Sequence, residues 1–286
     1  VLLSEASDYG IYRRAISQLM QGEEQLPSLP TITLDIRRAL GDPNLSSNAL
    51  VRLIGRDPAL SALLMKHASS ALYRQAIAPK TLRDVINLLG LAEVDRITMM
   101  HSIRSLFTLH SAAHKRLFVE TWERLVIKAS TCAMLARLLG HVTAEHALLA
   151  SLLSEVGNLV VLSAFKSDSQ APSGALYEKL CGEYGKSLGV IVLKKWSVDD
   201  HYIEVIRNAG NWQRSPGRSL QLLDLVNLAL YHAIKQHSPS AELPPLEQLA
   251  AYQKLLPPQN FISENGELEV VVSHHDEIQA IAQTLR

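Results

Sequence analysis

The stretch Ala147-Leu148-Leu149-Ala150-Ser151-Leu152-Leu153, wound as a helix, is apolar around almost its whole circumference. A helix with no polar face has to be enclosed by other elements on every side. The chain must therefore fold around this segment. The pattern predicts one helix from near Thr143 to about Phe165. The segment before it, about His114 to Leu139, carries Leu125, Ala129, Cys132, Ala136 and Leu139 on one stripe, and Gly140 closes it. Two long helices in succession, one buried all round, call for a helical bundle.

The punctuation elsewhere agrees. Residues 5–20 place Tyr9, Tyr12, Ala15, Ile16 and Leu19 at near-helical spacing, and Pro27 and Pro30 lie in the break that follows. Ser46 or Ser47 can cap a helix running to about Arg56, and Asp57-Pro58 joins an N-cap acceptor to proline at the first helical position. Thr81 opens another helix, which Gly90 is placed to end in a left-handed conformation. Residues 166–174 read as a polar loop, with helices at roughly 175–195, 199–209 and 217–236. Pro244-Pro245 and Pro257-Pro258 bracket a short helix, and Glu267-Leu268-Glu269-Val270-Val271-Val272 is the one strand signal.

Apolar residues make up 47% of the 286-residue chain and aromatics 5%, which favours packed helices over a β-sandwich. The 28 basic and 28 acidic residues cancel, and this weighs against nucleic acid, whose binders gain affinity from a basic excess. Cys132 and Cys181 form neither a metal spacing nor a disulfide framework; Cys132, on a predicted buried helical face, is expected to be a reduced core thiol, and a cytoplasmic address is expected with it. No apolar run is read as approaching the ~18 residues of a membrane span, and no signal peptide is evident.

Several segments in order resemble one family. Leu26-Pro27-Ser28-Leu29-Pro30, Asp57-Pro58-Ala59-Leu60 and His67-Ala68-Ser69-Ser70-Ala71-Leu72-Tyr73 are similar to the opening of HDOD domains. Val85-Ile86-Asn87-Leu88-Leu89-Gly90, Leu152-Leu153-Ser154-Glu155-Val156-Gly157-Asn158-Leu159 and Gly185-Lys186-Ser187-Leu188-Gly189 through Trp196 continue the likeness. It covers roughly residues 24–235. The resemblance implies an all-α multi-helix bundle of the HD/HDOD type, with at most a short strand near the C-terminus. It also implies a bacterial signal-transduction module without catalysis. The expected division is an N-terminal helix over 1–23, the HDOD domain over 24–236 in halves 24–110 and 111–236, and an extension over 237–286.

Active HD enzymes, to which HDOD domains are related, hold a divalent metal with a His, a His-Asp pair and a later Asp, and the metal supplies hydroxide near neutral pH. Carried over by the resemblance, the first His becomes Arg124, two residues after Trp122. The pair becomes Ser154-Glu155, and the last Asp becomes Leu230. A guanidinium keeps its proton and offers no lone pair. Hence no catalytic residue, metal or cofactor is expected. Arg124, Ser154 and Glu155 form a vestigial binding site, with Arg124 pairing Glu155 in the metal's electrostatic role. The expected partner is a signalling protein, with a small molecule or nucleotide in the pocket as a further option. The competing reading is a metal-dependent phosphohydrolase; a nucleotide or nucleic-acid binder is weaker.

Other chemistry-bearing residues have plainer readings. His275-Asp276 belongs to the first turn of a terminal helix capped by Ser273. His141 and His146 are spaced for surface or capping roles, Asp199-Asp200-His201 is a helix start, and His67 is a core histidine. Trp122, Trp196 and Trp212 read as packing anchors. No G-x-S-x-G, phosphate-binding glycine loop or G-Y-P tripeptide occurs.

Overall fold

The computed structural model describes residues 2–22, 26–70, 72–73, 79–106, 112–165 and 171–286. Among these residues every regular element is a helix, apart from one isolated antiparallel bridge. Parts of the expected break after residue 20 and of the polar loop at 166–174, together with Ala71, lie outside the described residues.

The first half comprises α1 (Leu2–Gln21), α2 (Thr31–Leu40), α3 (Ser47–Ile54), α4 (Pro58–Ala68), α5 (Leu82–Leu89) and α6 (Leu91–Leu106). Their starts follow the sequence signals. Ser46 Oγ accepts from the Ala49 amide at 3.1 Å, and the Asp57 carboxylate accepts from Leu60 at 3.0 Å with Pro58 in the first turn. Thr81 and Asp84 cap α5 reciprocally. Gly90 does end α5 at positive φ (+80°), but its ψ of 162° is extended, because α6 begins at the next residue in a new direction.

The second half comprises α7 (Ala112–Leu139), α8 (Ala144–Leu153), α9 (Val156–Ser163), α10 (Gly174–Lys195), α11 (Asp200–Asn208) and α12 (Leu222–His237). Every residue of the 147–153 stretch in α8 is buried, enclosed by α6, α7, α11 and α12. The single helix expected from Thr143 to Phe165 is instead two, broken at Ser154-Glu155, where Glu155 has φ −126° and ψ 17°. Both flanks are apolar, so periodicity carries no sign of the bend. Its cause lies in packing: α9 turns to lie against α10, with backbones so close that a Cβ on Gly157 would stand 1.7 Å from the Gly185 carbonyl oxygen. The stretch Ala144–Ser163 does have the length and apolarity of a membrane span, contrary to the sequence expectation, but it is bent at Ser154 and mostly buried.

The tail carries two 3₁₀ turns, Leu246–Gln248 and Tyr252–Lys254, where one short helix was expected, then α13 (Glu269–Ser273) and α14 (His275–Leu285). The predicted strand at 267–272 is reduced to a bridge between Ile262 and Leu268, and the chain coils into α13 at Glu269. The Leu268 amide that a neighbouring strand would need is donated to His232 Nε2 at 2.9 Å. Ser273 does not cap α14; its hydroxyl donates back to the Glu269 carbonyl at 2.8 Å. The tail folds back onto the bundle. Trp122 Nε1 donates to the Leu285 carbonyl at 3.3 Å, Arg137 pairs with Glu277, and Lys254 Nζ meets the buried Asp224 carboxylate at 2.8 Å.

The helix crossing at Gly157 and the hydrogen bonds of His232 are both open to direct test. Gly157→Ala forces α9 and α10 apart and lowers unfolding free energy by about 3 kcal/mol, measured by urea titration. The second concerns His232, whose Nδ1 donates to the Leu228 carbonyl (2.7 Å) while Nε2 accepts from Leu268, an arrangement only the neutral ring can make. Burial lowers its pKa. Its contribution to stability is therefore complete above the unfolded value of about 6.5 and is lost as pH falls through the depressed folded value. Urea midpoints measured from pH 7 downward should fall less steeply in His232→Phe than in the parent.

Candidate functional site

A cavity of about 370 Å³ opens where α7, the α8–α9 break, α10 and α12 meet. Arg124, Ser154, Glu155 and Leu230, the four positions set against the HD ligands, all line it. The charge at its centre comes from elsewhere. Lys128, one turn beyond Arg124 on α7, has its side chain 1% exposed. Its Nζ donates to Ser154 Oγ at 3.0 Å and to the Glu155 carboxylate. Ser154 passes its own proton to the Ser151 carbonyl at 2.7 Å, so the hydroxyl is fixed as an acceptor toward Lys128. Tyr177 donates to the Asn158 carbonyl at 2.7 Å and closes the wall beside α9.

Arg124 does not pair with Glu155. Its Nη1 lies 3.3 Å from Glu178 Oε1 on α10, and both side chains are substantially exposed. The reason is depth: Arg124 stands nearer the cavity mouth, where a long guanidinium reaches across to α10, while the stem of Lys128 is packed beside the break. Lys128 was legible as a lysine among the buried stripe residues Leu125, Ala129 and Cys132, a position where a charge needs a partner.

The donor set does not fit a divalent ion. A protonated lysine offers no lone pair and already occupies the carboxylate; Leu230 offers none. Among the described residues no group of three or more His, Cys, Asp or Glu is placed to hold a metal. Nor is there an activated thiol: burial pushes Cys181, which lines the cavity, up to about 12, leaving it protonated at neutral pH.

Among the described residues the remaining histidines and the tryptophans fall outside this cavity, except His237 at its rim. His67 is buried with Nε2 3.4 Å from Glu145 Oε1. Burial alone would raise the Glu145 carboxyl, but His67 and Tyr73 beside it bring it below its ordinary value. His141 is exposed at positive φ (75°), while His146, expected at the surface or at a cap, is half-buried and faces His201. Thr143, not a histidine, caps α8. His275 and Asp276 open α14 as expected. Trp122 and Trp196 are buried and donate to backbone carbonyls, and Trp212 packs edge-on to Tyr231.

The HDOD domain model matches residues 26–212. An uncharacterised protein of Treponema pallidum (strain Nichols) is 23% identical over 222 residues, 72% of this chain; the chain spans only 42% of that relative's length. Among solved structures, a candidate metal-dependent phosphohydrolase of Shewanella amazonensis SB2B aligns over 98% of this chain and all of its own, with TM-score 0.76 and 19% identity. An HDOD domain protein of unknown function from Geobacter sulfurreducens gives TM-score 0.60 and 20% identity over 91% of this chain and 92% of its own. A candidate signal transduction protein of Marinobacter aquaeolei VT8 gives 0.60 and 19% over 97% of this chain and 66% of its own. At these identities the likeness is one of fold.

The Lys128–Glu155 pair is asymmetric, since Lys128 is sealed and Glu155 is 30% exposed. Leaving a buried charge unpaired is the costly operation. Glu155→Gln should therefore destabilise the chain more than Lys128→Met, whose freed carboxylate can still reach water. Urea unfolding of both variants checks the order; equal losses, or the reverse, contradict it.

Proposed function

The chain belongs to the HDOD domain family, and on that premise we propose that it is a non-catalytic regulatory module whose HD-derived pocket is held by a lysine ammonium instead of a metal. A regulatory, HD-related module is the part that family membership carries. The absence of catalysis is our reading, and the observation supporting it is Lys128 Nζ seated on Ser154 and Glu155. An HD hydrolase gains its nucleophile from metal-bound water; an ammonium fixed on the carboxylate supplies a positive charge without that hydroxide.

We assign the working unit to residues 24–236, because the cavity wall formed by α12 lies beyond residue 212, and we treat 237–286 as a brace on it. The module acts by presenting its helical surface to a signalling protein, with the pocket taking a small molecule or nucleotide that biases the interaction. The competing reading, a metal-dependent phosphohydrolase, draws on the name of a structural relative at 19% identity.

The test is a panel of nucleotides and phosphoesters offered with Mg2+, Mn2+ or Fe2+. The expected result is no turnover above buffer. Turnover that disappears in Glu155→Gln while the variant remains folded would overturn the proposal.

A further inference from the structure

Away from Lys128, two helix starts bring together a pair of metal-grade donors. His146 lies in the first turn of α8 and His201 in the first turn of α11. Their Nε2 atoms are 2.9 Å apart, with ring centroids 5.0 Å apart and planes at 86°. Tyr202 backs both rings, with centroids 5.4 Å from His146 and 4.1 Å from His201.

Two readings fit nitrogens that face each other in this way: an N–H···N hydrogen bond, or a chelating pair. The distances discriminate how far apart the two are. A zinc ion about 2.0–2.1 Å from each nitrogen at a tetrahedral angle sets the nitrogens about 3.3 Å apart and the ring centroids about 5 Å apart. The rings already have that centroid spacing, so a tilt that opens the nitrogens by a few tenths of an ångström converts one arrangement into the other. His201 is exposed and can make that tilt.

The charges nearby permit it. Asp199, two residues before His201, is exposed and its carboxylate makes no cap bond to α11. Arg96, the opposing cation, is engaged by Glu93. We propose that His146 and His201 form a two-histidine site for a late transition-metal ion, Zn2+ first, with water completing its shell. Imidazole suits Zn2+, Ni2+ and Cu2+, and two protein donors instead of four make the ion exchangeable rather than structural. Bound there, it ties the start of α11 to the start of α8. The site is independent of the Lys128 pocket and of the reading given to it.

The experiment uses the full chain freed of any histidine tag, titrated with Zn2+ by calorimetry and followed by thermal unfolding. The parent should bind one ion per chain and gain thermal stability. His201→Ala should bind about tenfold or more weakly and lose the gain, as should His201→Gln, which keeps a polar group toward His146 and guards against a simple packing defect. No binding by the parent, or undiminished binding by both variants, overturns the proposal. Binding that survives in both and vanishes in Glu155→Gln would place the ion in the α7–α9 cavity and overturn the proposed function as well, whereas failure of the histidine site alone leaves that function standing.

Discussion

One ammonium group, withdrawn from water between α7 and the start of α9, sets the terms for the centre of this fold. Taking such a charge out of solvent costs several kcal/mol unless close partners replace its hydration. Ser154 and Glu155 replace it, and they can do so because the chain breaks its helix at that point. The break in turn depends on Gly157 and Gly185, whose missing side chains let α9 lie against α10. Burial of Lys128, the bend and the close helix crossing are thus one arrangement. In a metal enzyme of this fold the cation would come and go. Under the proposed function it is covalently part of α7.

The tail is tied to the same walls. α12 brings Leu230 to the cavity and, two residues on, His232 to the Leu268 amide. α7 brings Lys128 to the cavity and Trp122 to the Leu285 carbonyl at the end of α14. Residues 237–286 therefore pack on two of the helices that line the pocket.

Much of the fold was legible because local signals were strong and agreed with one another. Asp57-Pro58, Thr81 and Gly140 mark helix ends by capping chemistry that tertiary contacts do not override, and the apolar girth of 147–153 fixed α8 as central. The family positions do converge in space, since Arg124, Ser154, Glu155 and Leu230 line one cavity. What periodicity cannot carry is direction: a bend between two apolar flanks leaves no trace in the pattern, so the pattern predicts one continuous helix from Thr143 where the structure has α8 and α9. The strand at 267–272 failed for a related reason, as alternation says nothing about whether a second strand is present to accept the pairing. Lys128 lies outside the family positions, yet the sequence does carry its signal, a charge on a buried stripe. Arg124 drew the pairing because it held the family's position, not because its depth in the cavity suited it.

The claim that Lys128 stands where a metal would bind is tested most directly by diffraction from crystals grown in Mn2+, with data collected to reveal its anomalous signal. The account predicts no anomalous peak between α7 and Ser154-Glu155, with Lys128 Nζ still about 3 Å from Ser154 Oγ, an ordinary hydrogen-bond distance. A peak ligated by Glu155, with the lysine side chain swung away from it, would contradict the account at its centre.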